Sequence, residues 1–189
     1  MVRKTLFILI LLLSVAGIYF CDSSPMDSGE EEDDEVMPFG KATDVQIAKA
    51  IWSSVEGYDN NWAQYPGKEG WQPGNSPHGA WLKYYVNETA MSDLQNFPHG
   101  SVIIKENYPD TMSSTGPITI MARIEGYDSE IYDWFWAKYL PDGSLDTNED
   151  GVKLAGQVAK GAGENGEHAA CIGCHSGASG GDYAFVNDQ

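Results

Sequence analysis

The pattern of apolar and polar positions divides the chain into an apolar head, a polar stretch and a folded body. An unbroken apolar run extends from Leu6 to Phe20, behind Arg3 and Lys4. From Thr43 onward, Ile47, Ile51 and Val55 recur at helical spacing, with Ala48 and Trp52 on the neighbouring stripe. Thr43 and Gln46 fit a capping box, Asp44 sits in the first turn, and Gly57 stops the helix. Residues 58–79 are rich in Gly, Pro, Asn and Trp and read as an ordered loop, with Trp62, Tyr65 and Trp71 as lid and core aromatics.

A period of two then takes over. It predicts strands at Trp81–Asn87, Ser101–Glu106, Ile118–Glu125 and Tyr132–Leu140, with a short helix at Glu88–Gln95. The clearest is Ile118–Glu125, where Ile118, Ile120, Ala122 and Ile124 alternate with Thr119, Met121, Arg123 and Glu125. Pro141-Asp142-Gly143 is a turn, and a C-terminal helix is predicted around 165–177. The fold class is α+β: an antiparallel sheet of four or five strands with an N-terminal and a C-terminal helix.

The head changes the picture of location. Basic Arg3 and Lys4 ahead of an apolar run are the pattern of a bacterial export signal. Cys21 closes the run and is followed by Asp22, Ser23 and Ser24, as in a lipidated lipoprotein start; an uncleaved anchor or ordinary cleavage nearby are the alternatives. Each places the domain outside the cytoplasm, periplasmic or otherwise extracytoplasmic, and lipidation or an uncleaved anchor would hold it to the membrane through its N-terminus. Residues 22–40 read as an acidic tether, with six consecutive acids from Glu30 to Glu35. The domain itself spans residues 41–189.

Charge excludes one class of partner. The chain has 189 residues with 11 Lys+Arg against 28 Asp+Glu, a net charge of −17, which a phosphate backbone would repel; no nucleic-acid partner is expected. With 42% hydrophobic residues there is enough apolar surface for a core.

The chemistry lies in residues 171–175, Cys-Ile-Gly-Cys-His. Two cysteines three apart, followed at once by histidine, are the attachment signature of c-type haem. Within one helical turn Cys171 and Cys174 can reach the two porphyrin vinyl groups, and His175 points at the iron. A zinc site would need two more ligands at sensible spacing, and a redox Cys-x-x-Cys pair would want a βαβ setting. One covalent haem c is therefore expected, on the predicted C-terminal helix. No methionine follows His175. Any sixth ligand must come from upstream, where His78, His99, His168 and Met121 are the donors; each reads more readily as a surface or core residue. Asp146–Gly151 resembles the first half of an EF-hand loop, but the twelfth position is Gln157, so it reads as a turn and calcium is not expected.

Three segments together resemble the cytochrome P-460 family, which includes the cytochromes c-prime-beta. They are Phe97-Pro98-His99-Gly100-Ser101-Val102-Ile103-Ile104-Lys105-Glu106, then Cys171-Ile172-Gly173-Cys174-His175, then Asp182-Tyr183-Ala184-Phe185. Tyr85-Val86-Asn87 and Trp134-Phe135-Trp136 agree with the pattern, so the likeness spans residues 43–186. It implies a mostly antiparallel β fold, often a homodimer, with one five-coordinate haem. Members named cytochrome P-460 oxidise hydroxylamine and carry a lysine cross-linked to the porphyrin edge; that lysine corresponds to Lys105. Cytochromes c-prime-beta lack the cross-link and bind nitric oxide and similar gases.

The resemblance also implies that Phe97 caps the distal face; ordinary core packing is the other reading. A surface strand lysine paired with Glu106 is the other reading of Lys105. Hydroxylamine chemistry needs a distal carboxylate, for which Glu125, Glu130 and Asp133 are the candidates. Two classes stay open. One is an enzyme acting on hydroxylamine or a related small nitrogen species and passing electrons to a redox partner protein; the other is a non-enzymatic gas-binding or electron-transfer cytochrome.

Overall fold

The structure, a computed structural model, describes residues 39–158 and 171–187. The predicted export signal, Cys21, nearly all of the acidic tether and His168 lie outside the described residues.

The architecture is α+β around one antiparallel sheet. Among the described residues the sheet has seven strands rather than the four or five expected. They are β1 (Ala63–Gln64), β2 (Gln72–Pro73), β3 (Trp81–Val86), β4 (Val102–Tyr108), β5 (Ile118–Arg123), β6 (Trp134–Tyr139) and β7 (Ala155–Gly156). The order is β1-β3-β4-β5-β6-β7, and β2 pairs with β3 beside β1. The four long strands are those the period of two identified. The extra three are two residues each, too short to leave any periodicity. Two of them come from the stretch expected to be loop, which also holds a helical turn, Tyr58–Asn61 (α2).

Helix α1 spans Ala42–Val55. It starts ahead of Thr43, so no Thr43 side chain caps it; the residue before the first turn is Lys41, which makes no side-chain cap. The short helix α3 is Glu88–Ser92, and there the cap is real: Asn87 Oδ1 accepts from the Ala90 N–H across 3.0 Å. The last helix, α4, covers Cys171–His175; the rest of the predicted helix ahead of it lies outside the described residues.

Strand alternation sends successive side chains to opposite faces. On one face the row Tyr85, Ile104, Ile120, Ala137, Ala155 runs across five strands in register. Together with Phe135 and Tyr139 it is buried under Ala48 and Val55 of α1. Tyr139 closes this layer: its ring stacks on Trp52 at 4.7 Å, and its hydroxyl donates to the Ala48 carbonyl across 2.8 Å. Glu106 lies on this face too, where Tyr58 and Tyr108 each donate a hydroxyl to its carboxylate at 2.9 Å. It is therefore not the partner of Lys105, which projects from the opposite face.

On that opposite face a second row, Val86, Ile103, Met121, Trp136, pairs in register, flanked by the row Tyr84, Lys105, Thr119, Lys138. Among the described residues no helix of α1's length covers it. α4 and the C-terminal segment lie over one part, and the loop between β2 and β3 borders the rest.

Candidate functional site

Between this face, the β2–β3 loop and α4 lies a cavity of about 400 Å³, within the roughly 300–1,000 Å³ of small-molecule and cofactor sites. Its floor is Tyr84, Ile103, Lys105, Met121 and Trp136; Cys171, Cys174 and His175 form one wall, and His78 stands on the β2–β3 loop. The fold thus brings together residues far apart in sequence: the full Cys-x-x-Cys-His motif and Lys105.

α4 is a single turn, and its burial is one-sided. Ile172 and His175 face inward, and Cys174 is exposed at the rim. No disulfide joins Cys171 to Cys174. The Ile172 N–H donates to the Val158 carbonyl at 3.1 Å, tying the turn to the strand side of the molecule. His175 is packed among aromatic rings, with Phe185 at 5.3 Å and Trp136 at 6.3 Å between centroids. Its Nδ1 lies 2.7 Å from the Tyr183 carbonyl oxygen. A carbonyl can only accept, so Nδ1 carries the proton and Nε2 keeps its lone pair. This is the second partner a metal-bound histidine usually has, fixing tautomer and ring orientation.

The Tyr183 carbonyl is itself held by design of the turn. Tyr183 has φ 65°, an unusual left-handed conformation for a bulky residue. Asp182 braces it: its carbonyl accepts the Trp134 indole N–H at 2.7 Å, and its side chain accepts the Ala184 N–H at 3.0 Å and the Asn187 amide at 2.9 Å. The Asp-Tyr-Ala-Phe tail is thus a bracket for His175. The sequence marked this tail, but only through resemblance; nothing local signals a left-handed tyrosine.

Electrostatics favour neutral groups here. Burial pulls His175 down to about 4, with the nearby Lys105 adding to it against the Tyr183 hydrogen bond. Burial, then Lys105 and His175, take His78 down to about 3. Burial also lowers Lys105 to about 8, opposed by Cys171, and raises Cys171 to about 11, opposed by Lys105. Lys105 and Cys171 are only partly covered by protein, and both line the cavity.

The residues fit a c-type haem. Among the described residues no three His, Cys, Asp or Glu side chains converge on one point as a bare metal ion would require. The motif side chains are instead spread along the wall of an apolar slot, the arrangement a flat macrocycle needs. The buried indole Nε1 of Trp136 has no hydrogen-bond partner among the described residues, a donor such as a polar edge of a bound group would satisfy.

Other expected site residues lie elsewhere. Phe97 is in the core, packed edge-on against Trp134 at 5.9 Å, and does not line the cavity. His99 is 3.0 Å from the Asp133 carboxylate, away from the slot. Neither Asp133, Glu125 nor Glu130 lines the cavity. Met121 and His78 do, and no sequence feature ranks them among the four donors. Asp146–Gly151 forms a turn in which Asn148 Oδ1 accepts the N–H groups of Asp150 and Val152 at 3.0 and 2.9 Å.

Comparison with known protein families and with curated proteins finds no match to this chain.

Proposed function

We propose that this chain is an exported mono-haem c-type cytochrome resembling cytochrome P-460, working as a redox protein whose iron carries electrons and binds small nitrogen species. The observation that carries the reading is His175: its Nδ1 proton is committed to the Tyr183 carbonyl, and its ring lines the same cavity as Cys171 and Cys174. Cys171 and Cys174 would each add their S–H across a vinyl group, forming a carbon–sulfur bond and passing the proton to the neighbouring carbon. His175 would supply the proximal nitrogen. Haem supplies one-electron chemistry and an iron able to bind small ligands. The chain's own part would be to offer Ile103, Met121 and Trp136 as apolar surface to the group and to keep His175 neutral and oriented.

Between the two classes, the cavity favours the non-enzymatic one. Among the described residues no Asp or Glu lines it, so the proton acceptor that hydroxylamine oxidation requires is not among them. One observation supports the enzyme instead. Lys105 opens into the slot beside Cys171, and burial lowers its pKa to about 8, which enlarges the neutral, nucleophilic share of the amine that a porphyrin cross-link would need.

The test is an optical spectrum of the reduced, haem-loaded protein, followed by addition of nitric oxide and of hydroxylamine. An ordinary haem c spectrum, perturbed by nitric oxide and without turnover of hydroxylamine, supports the electron-transfer and gas-binding reading. A strongly red-shifted Soret band with hydroxylamine turnover moves the function to the enzyme. Absence of any haem spectrum overturns both.

A further inference from the structure

We propose that His78 is the second axial ligand of the iron, opposite His175; the inference rests on the haem c reading above. The resemblance implies a five-coordinate haem, so this is a departure from it, and it comes from geometry.

The ring centroids of His78 and His175 are 6.4 Å apart, with planes at 88°. An imidazole nitrogen binds a first-row metal at about 2.0 Å, so two imidazoles on opposite sides of one ion have centroids roughly 6–6.5 Å apart. Both ring planes then contain the metal axis, and any angle between them is allowed, perpendicular included. A distal base serving an iron-bound ligand would stand a further hydrogen-bond length away, about 2.6–3.2 Å. The observed spacing leaves no room for that ligand.

The two rings are also supported alike. His175 gives its Nδ1 proton to a carbonyl oxygen. Beside the His78 ring lies the Asn107 carboxamide, whose buried Oδ1 has no hydrogen-bond partner among the described residues. That oxygen is the acceptor the His78 N–H would take, leaving the other ring nitrogen for the iron. Asn107 itself is anchored, donating its amide to the Pro117 carbonyl at 2.6 Å.

The loop presenting His78 is tightly built. Gly74 N–H donates to the Ala80 carbonyl and His78 N–H to the Asn75 carbonyl, both at 2.8 Å. Gly79, at φ 93°, packs so close to β4 that a Cβ there would stand 2.6 Å from the Tyr108 carbonyl oxygen. A small ligand would then reach the iron only after His78 leaves it, so the loop from β2 to β3 sets access.

The test is the spin state of the full, haem-loaded ferric protein by electron paramagnetic resonance and optical spectroscopy. We expect a wholly low-spin iron with the strongly anisotropic signal that perpendicular axial rings produce. His78→Ala should convert it to high spin and raise the nitric oxide association rate at least tenfold. His168→Ala and His99→Ala should leave the low-spin signal intact. A high-spin wild-type protein with covalently bound haem overturns the inference and leaves the haem c reading standing. So does a low-spin signal that survives His78→Ala or disappears in His168→Ala. A protein that binds no haem at all fails the underlying reading instead.

Discussion

His175 and Tyr183 are joined by a 2.7 Å hydrogen bond in which the imidazole Nδ1–H donates to a backbone carbonyl. The carbonyl belongs to a tyrosine in left-handed conformation, φ 65°, and Asp182 holds the turn that makes this possible. Asp182→Ala removes the acceptors of the Ala184 N–H and the Asn187 amide. The expected loss is about 1–3 kcal/mol in a denaturant melt, together with a shifted redox potential as His175 loses its fixed orientation. A melt and potential both unchanged would show that the bracket does not act on His175.

Lys105 predicts a pH dependence. Its folded pKa, about 8, lies below its ordinary value of 10.5. Between those values the unfolded chain holds the proton that the folded chain has released, so stability rises with pH across that window. Below it, keeping the buried amine charged costs stability. Melts of the haem-loaded protein should show this rise from about pH 8 upward, and Lys105→Met should flatten it. A Lys105 already joined to the porphyrin edge gives no such rise, which makes the same melts a check on the enzyme reading.

Glu106 predicts an effect on stability alone. Tyr58 and Tyr108 both donate to its buried carboxylate, on the face away from the cavity. Tyr58→Phe and Tyr108→Phe should each cost about 1.5–3 kcal/mol, measured by chemical denaturation, with the haem spectrum untouched. A spectral change would mean that the two faces are coupled.

Gly156 sits at φ 99°, and a Cβ there would run into the Asp44 carboxylate. Gly156→Ala should therefore destabilise by more than about 1 kcal/mol, loosening the contact of α1 with β7. A neutral result in a thermal melt would show that Asp44 can move aside.

These elements differ in how far the sequence reveals them. Four strands announce themselves because one or both of their faces are buried over six or seven residues, as in Ile118–Arg123. β1, β2 and β7 are two residues long and exist only because a long strand offers them an edge. Cys171, Cys174 and His175 are legible because their chemistry fixes their spacing. Lys105 stands out only through resemblance, and its exit from the same sheet face as Met121 and Trp136 follows from register. Nothing in the sequence separates His78 from His99, because the difference is tertiary: one lies beside His175, the other beside the Asp133 carboxylate.

The most direct test of the central claim is a mass map of the peptide carrying Cys171–His175, from protein produced with export and c-type haem attachment. The account predicts that peptide with one haem added through both Cys171 and Cys174, and loss of the native haem spectrum on His175→Ala. Recovery of the peptide with two unmodified thiols, from protein exported in the presence of haem, would contradict it.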